Sequence, residues 1–531
     1  MKFDPLYNPY KVKKNVCYGM RGMIAASQPS AAEAGFEMLK NGGNAIDAAV
    51  AAAAALTVCE PTSNGVGGDA FAIVWYRGKL YGLNSSGPCP KELTLDKLNG
   101  KMAEYGWKTV NVPGIPAAWA SLSHRFGRLS FEQLFKPAIN YAENGFPVTP
   151  VLGHYWEKEY RKMKDSMKEE IFTHWLETFA PTGKTPEIGE IFKYKHLGKT
   201  LRRIAETKAE DFYRGELADK IDSFSRKTGG YIRKEDLEGY KPQWVEPISI
   251  NYRGYDVFEI PPNGQGITAL MALNILKGFD FNLCSREQVL HRQIEAVKLA
   301  FMDSLKYVTD INYMDMEIEE LLSEERAKYK RTLLGDNALE PYEINHCEGG
   351  TVYLAAADDE GNMVSYIQSN YMGFGSGIVV PETDIALHSR ARNFSMDRSH
   401  VNVLQPGKRP YHTIIPGFLM KDGKPVGPFG IMGGFMQPQA HVQVLMNYID
   451  FNMNPQAALD APRWIWMQDR DVRLETSFEP YYAQKLEKRG HAIAYDHDSL
   501  LFGRGQIIWR MDNGIYAGGT DSRTDGTIYS W

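Results

Sequence analysis

The chain has 531 residues, 43% hydrophobic and 24% charged, the make-up of an ordinary soluble globular protein with a large core. Sixty Lys and Arg against 65 Asp and Glu leave a net charge of −5, which argues against a nucleic-acid or membrane-surface partner. Five scattered cysteines, an odd number with no CxxC or Cys/His pair at zinc-ligand spacing, predict neither a disulfide framework nor a structural metal site.

The N-terminus lacks a basic stretch followed by an apolar one, so no signal peptide is expected and the cytoplasm is the expected compartment. Met20 to Ala26 is a short apolar run, and Ser30 is positioned to cap a helix from Ala31 to Lys40. Gly42-Gly43 breaks that helix, and Asn44 restarts a second one reaching about Val58. Its Ala-rich stretch, Ala45 to Cys59, carries Asp47 and is too short to span a bilayer, so it predicts a buried core helix. The loop Asn64-Gly65-Val66-Gly67-Gly68-Asp69 lacks a GK[ST] ending, which argues against a phosphate cradle. The strands Ala70 to Tyr76 and Leu80 to Asn84 form a predicted hairpin. Residues 91–241 read as mostly helical, followed by helices over Ile267 to Leu276, Arg286 to Val308 and Glu317 to Tyr329. Ala338 to Gly350 is a polar connector of the kind found at surfaces.

Beyond the connector lies a second predicted hairpin. Gly349-Gly350 leads into the strand-like run Thr351 to Asp358, the turn Asp359-Glu360-Gly361-Asn362, and a second run from Met363 to Gln368. The remainder is richer in strands: Ile378 to Val380, Asp384 to His388, Ile414 to Met420, Pro425 to Gly430, Ile507 to Arg510 and Gly514 to Gly518. Helices are predicted at Gln437 to Tyr448, Pro455 to Asp460 and Tyr481 to Lys488. Helices dominate the first part and strands the second, so one α/β core built from both halves fits better than independent domains.

These stretches, in this order, resemble the γ-glutamyltranspeptidase family of N-terminal-nucleophile hydrolases. The resemblance rests on Gly42-Gly43-Asn44-Ala45 with Asp47, on Gly65-x-Gly67-Gly68, on Val112-Pro113-Gly114, and on Asp211-Phe212-Tyr213-x-Gly215. It continues through Thr351, Asp358-x2-Gly361-Asn362, Phe374-Gly375-x-Gly377, Lys408-Arg409-Pro410 and Gly433-Gly434. It implies a four-layer αββα sandwich. It also implies a precursor cut at Gly350–Thr351 into a large subunit, residues 1–350, and a small subunit, residues 351–531, which stay together in one core and could dimerise further. No cofactor is implied. A Thr hydroxyl is a poor nucleophile without a base. At a new N-terminus its own α-amine, with an ordinary pKa of about 7.7–8.0, can take the proton. Gly433 and Gly434 match the family's oxyanion hole. Ser369 falls where the family has a Thr bonded to the nucleophile.

The recognition positions depart from the family. Ser86 stands where an Arg pairs with the substrate α-carboxylate, and Asn393 where an acid holds its ammonium group. Arg390 aligns with a Gln, Tyr371 with an Asn, and Tyr411-His412-Thr413 with a Ser-Ser pair. Arg390 and Arg392 are either replacement carboxylate partners or solvated arginines; His412 is either a substrate donor or a core histidine. The short stretch between Ser395 and Lys408 implies the lidless branch, whose members have been called both γ-glutamyltransferases and cephalosporin acylases. Three readings follow: a γ-glutamyl hydrolase or transpeptidase with water or an amine as acceptor and glutathione as default substrate; an acylase for glutaryl-type side chains; and an unprocessed scaffold.

Overall fold

The computed structural model describes residues 14–340 and 350–531. Two seven-stranded sheets form its centre. Their strands in chain order are β1 (Cys17–Gly19), β2 (Met23–Ala26), β3 (Asp69–Tyr76), β4 (Lys79–Ser85), β5 (Gln243–Val245), β6 (Ile248–Tyr252) and β7 (Tyr255–Glu259). After the connector come β8 (Gly350–Ala357), β9 (Met363–Tyr371), β10 (Gly417–Lys421), β11 (Lys424–Met432), β12 (Arg504–Arg510), β13 (Tyr516–Thr520) and β14 (Thr527–Ser530). The first sheet runs β14-β2-β8-β9-β3-β4-β5 and the second β1-β13-β12-β11-β10-β7-β6, all antiparallel.

The sheets face each other across a buried interface. Gly430 of β11 leaves room for the Tyr353 ring of β8; a Cβ there would come within 2.3 Å of it. Helices α1 (Pro29–Lys40) and α2 (Ala45–Cys59) cover the first sheet, while α3 (Gly266–Leu276) and α5 (Met436–Ile449) cover the second; α4 (Arg286–Tyr307) packs on α3. This is the αββα sandwich. Every residue of α2 is buried, as its all-round apolar sequence requires. Its start is fastened at both ends of a capping box: Asn44 accepts from the Asp47 N–H, and Asp47 accepts from the Asn44 N–H. Asp358 Oδ2 accepts from the Ala45 N–H and Oδ1 from the Asn362 N–H, so the β8–β9 turn and the helix start hold each other.

Several boundaries differ from the sequence reading. Ser30 is not the cap of α1: Pro29 opens the helix, because its fixed φ suits the first position and no N–H is lost. The stretch 317–329 splits into Ile318–Leu321 and Glu324–Leu333, since the Ser323 hydroxyl accepts from the Arg326 N–H and starts a new helix. The expected strand at Ile414 begins only at Gly417. The N–H groups of Ile414 and Ile415 donate to His412 and Gln437 side chains, and Pro416 has none to offer a ladder. Asp384 to His388 contracts to a two-residue strand, Ile385–Ala386. The edge strands β1, β5, β6 and β14 and the inner strand β7 were not predicted, nor was a three-stranded sheet of Trp464–Gln468, Asp471–Glu475 and Ala492–Asp496. Most of the predicted connector, with Cys347 and Gly349, lies outside the described residues. The other four cysteines are free thiols. No described helix is long and apolar enough to cross a membrane.

Candidate active site

Gly350 and Thr351 open β8, between β2 and β9, and Thr351 is buried. Pairing is interrupted here: Gly350 faces Tyr371 and Val352 faces Gln368, so Ser369 and Asn370 together oppose Thr351. This bulge re-aims the side chains beside it. The Ser369 hydroxyl donates to the Gly350 carbonyl oxygen at 2.6 Å, accepts from the Thr351 hydroxyl at 3.1 Å, and accepts from the Tyr371 N–H at 2.8 Å. One oxygen therefore holds the Gly350–Thr351 carbonyl, the neighbouring hydroxyl and the strand end in fixed relation. Tyr371 closes the bulge at φ +74°, a left-handed conformation rare for an aromatic residue and associated with functional sites.

The Gly-rich loop before β3 packs beneath this strand. A Cβ on Gly68 would lie 2.6 Å from the Ser369 carbonyl oxygen, so close approach, not anion binding, accounts for that glycine. The loop delivers Asp69, whose Cα pairs with Ser369 in the sheet. Asp69 was not singled out as a site residue, though it ends a motif that was. It is fully buried and accepts from the Gly87 N–H at 3.2 Å and from His412 Nε2 at 3.0 Å. His412 Nδ1 accepts the Ile414 N–H, which assigns the proton to Nε2. Burial holds the His412 imidazole neutral, its pKa well below the ordinary value, and burial pushes the Asp69 carboxyl up to about 7.

Arg390 completes the cluster. Its Nη1 donates to the Thr413 hydroxyl at 2.7 Å, its Nε lies 3.6 Å from Asp69, beyond hydrogen-bond reach, and its guanidinium sits 4.6 Å over the Tyr371 ring. It is fully buried, yet Nε and Nη2 have no acceptor among the described residues. Burial lowers its pKa to about 10, which leaves it charged at neutral pH. A buried guanidinium with unused donors matches a carboxylate. Arg392 takes no part: its Nη1 donates to the Glu104 carbonyl near the surface. Asn393 is half-buried and its Nδ2 donates to the Tyr411 carbonyl; Ser86 donates to Asn84.

Gly433 (φ +139°) and Gly434 (φ +58°) form the turn between β11 and α5. Gln265, at the start of α3, donates from Nε2 to both the Gly434 and the Thr413 carbonyls. The glycine turn, Thr413, Arg390, Tyr371 and Ser369 thus belong to one hydrogen-bonded and stacked frame around Thr351. Gln265 has no counterpart in the sequence reading, because nothing local marks a side chain that spans two distant loops.

An αββα sandwich with a buried Thr opening a central strand defines a member of the N-terminal-nucleophile amidohydrolase class. Residues 31–531 match the family model described as Gamma-glutamyltranspeptidase. A glutathione hydrolase-like YwrD proenzyme from Bacillus subtilis is 36% identical over 524 residues, covering 96% of this chain and 98% of the relative. An oxamate amidohydrolase proenzyme from Klebsiella pneumoniae is 31% identical over 522 residues, 95% and 97% of the two chains. The crystal structure of a cephalosporin acylase from Bacillus halodurans superposes with a TM-score of 0.97 at 55% identity, covering 100% of this chain and 99% of that one. The chain belongs to the γ-glutamyltranspeptidase family, and it is an amidohydrolase.

Proposed function

We propose that the chain cuts itself at Gly350–Thr351 and then hydrolyses amides whose acyl part carries a free carboxylate, through an acyl-enzyme on Thr351. In self-cleavage the Thr351 Oγ attacks the Gly350 carbonyl carbon. The Ser369 hydroxyl, already on the carbonyl oxygen, stabilises the charge that develops there. The C–N bond breaks as the proton passes to the Thr351 nitrogen, and water hydrolyses the resulting ester. The products are residues 1–350 ending in a carboxylate and residues 351–531 beginning with a free α-amine. Interleaved strands keep the two together, since β8 and β9 of the second product lie between β2 and β3 of the first.

In turnover the α-amine takes the Thr351 hydroxyl proton, Oγ bonds to the substrate carbonyl, and the proton leaves with the amine product. The N–H groups of Gly433 and Gly434, which have no acceptor among the described residues, are assigned to the oxyanion. Water then releases the acid.

The observation that carries the substrate class is Arg390, buried and charged with two donor nitrogens unused. Its ion pair with Asp69 is long, 3.6 Å, and each buried donor left without an acceptor costs about 1–3 kcal/mol. A substrate carboxylate would satisfy it, as oxamate or a glutaryl group could. At the position where the family holds the α-ammonium group, Asn393 is neutral and donates to the Tyr411 carbonyl, and Asp69 already faces His412 and Arg390. A γ-glutamyl amide remains the second reading, favoured by the name of the Bacillus subtilis relative. Rates on glutaryl-, γ-glutamyl- and butyryl-p-nitroanilide test the choice. The glutaryl compound is expected to match or exceed the γ-glutamyl one, with butyryl far behind. A γ-glutamyl rate well above the glutaryl rate would restore the second reading. Equal use of the butyryl compound would remove Arg390 from recognition.

A further inference from the structure

A second buried cluster of ionisable groups, sharing no residue with the Thr351 site, lies where α4, residues 334–340 and the turn after α6 (Pro480–Lys488) meet. His291 and Glu295 are one helical turn apart on α4 and face the same side. His491 comes from the turn after α6. His291 Nδ1 is 2.9 Å from His491 Nε2, which is 3.9 Å from Glu295 Oε1. One ligand atom from each of the three residues lies within 4.8 Å of the others.

The proton positions follow from the partners. His291 Nε2 faces the Gly335 carbonyl at 3.0 Å, and a carbonyl only accepts, so Nε2 carries the proton and Nδ1 offers a lone pair. His491 Nε2 then donates to Nδ1. That leaves His491 Nδ1 buried, with a lone pair and no partner. Glu295 Oε2 accepts from the Leu339 N–H at 2.8 Å. Oε1 lies 2.8 Å from Lys298 Nζ but makes no hydrogen bond of acceptable geometry. Burial keeps both rings neutral, His291 at about 4 and His491 well below its ordinary value.

We propose that His291, Glu295 and His491 form a binding site for a divalent transition-metal ion of the zinc type. Two neutral imidazoles and a carboxylate are a donor set such ions accept. Ligands held at about 2.0–2.2 Å by a tetrahedral ion stand roughly 3.3 Å apart, so the observed spacing needs only small side-chain movements. His291 would bind through Nδ1, its other nitrogen anchored by Gly335 as an outer partner. His491 would bind through Nε2, its proton moving to the unpartnered Nδ1, so neither ring has to lose a proton overall. Lys298 is the competing cation. On metal binding it gives up Glu295 and keeps its hydrogen bond to the Leu339 carbonyl at 3.1 Å, and water fills the fourth position. The ion would join α4, before Thr351 in the chain, to His491 after it. It would also stiffen the segment holding Gly335 and Leu339, which leads to the cleavage bond. The site stands whether or not the proposed function does.

Sequence spacing could not show this site, since 200 positions separate the two histidines. Chelator-treated full-length protein is titrated with Co²⁺ as a visible probe, then with Zn²⁺, following absorption and melting temperature. The expected result is one Co²⁺ per chain with the spectrum of a four-coordinate nitrogen- and oxygen-ligated ion, displaced by Zn²⁺, and a higher melting temperature. His291→Asn and His491→Asn should each lose the signal. Lys298→Met should bind more tightly than wild type, and it decides the matter if the histidine variants do not fold. A wild type without the signal, histidine variants that keep it, or Lys298→Met binding no more tightly than wild type would overturn the proposal.

Discussion

Ser369→Ala tests the self-cleavage chemistry most directly. In the uncut chain the Ser369 hydroxyl lies 2.6 Å from the carbonyl oxygen that must become an oxyanion when Thr351 attacks. Removing one donor of this kind costs about 2.7–4 kcal/mol in the transition state, a slowing of roughly 10²–10³-fold. The alanine also leaves the Tyr371 N–H without its acceptor and frees the Thr351 hydroxyl to rotate. An orphaned buried donor costs about 1–3 kcal/mol of stability, which a protein of this size can absorb. Intact mass spectrometry over a time course after purification follows conversion of the 531-residue chain into its two fragments, with circular dichroism confirming that the variant is folded. Ser369→Thr, which keeps the hydroxyl, should recover most of the rate. A folded Ser369→Ala protein that cuts itself as fast as wild type would refute the role given to this hydroxyl.

The remaining predictions concern the nucleophile, recognition and pH. Thr351→Ala should persist as one uncut chain, whereas N-terminal sequencing of the wild type should read Thr351-Val352-Tyr353; an uncut wild type would instead favour the scaffold reading. Arg390→Met removes a charge-assisted contact worth about 1.5–3 kcal/mol, so KM for glutaryl-p-nitroanilide should rise by roughly 10–100-fold with kcat less affected; unchanged kinetics would count against the assignment. The Asp69 carboxyl, pushed up to about 7 by burial, keeps in the folded state a proton that the unfolded chain releases near pH 4. Its contribution to stability is therefore present at low pH and is lost as pH rises towards 7, by at most about 1.4 kcal/mol per unit. Asp69→Asn cannot ionise, so denaturant melts should show wild-type stability falling relative to the variant between about pH 4 and 7 and flat above. A parallel pair of curves would contradict this.

Much of the fold was legible in the chain. The helix restart at Asn44, the apolar α2 and the turn Asp359 to Asn362 each carry their signal within a few residues, because helix starts and hairpin turns satisfy their backbone groups locally. The edge strands β1, β5 and β14 escaped because a short strand at a sheet edge needs little apolar alternation of its own. Ser30 misled for a related reason: a capping residue was present, but the neighbouring Pro29 suited the first helical position better.

The candidate site divides the same way. Thr351, Ser369, Gly433 and Gly434 were named as candidates from the sequence, since they sit in short motifs that keep their order along the chain. The roles of Arg390 and Arg392 could not be separated there. Two arginines two residues apart look alike as letters, and only folding turns one onto Thr413 and Tyr371 and the other towards the Glu104 carbonyl. The side-chain roles of Asp69 and Gln265, and the His291–Glu295–His491 cluster, were not read from the sequence. Local backbone requirements and apolar patterning in the sequence supported one α/β core and the hairpin that Thr351 opens, and the sandwich rested on the resemblance of its motifs to the family. Tertiary structure alone decided which charges are buried together, because desolvation and pairing depend on contacts between residues that may lie hundreds of positions apart.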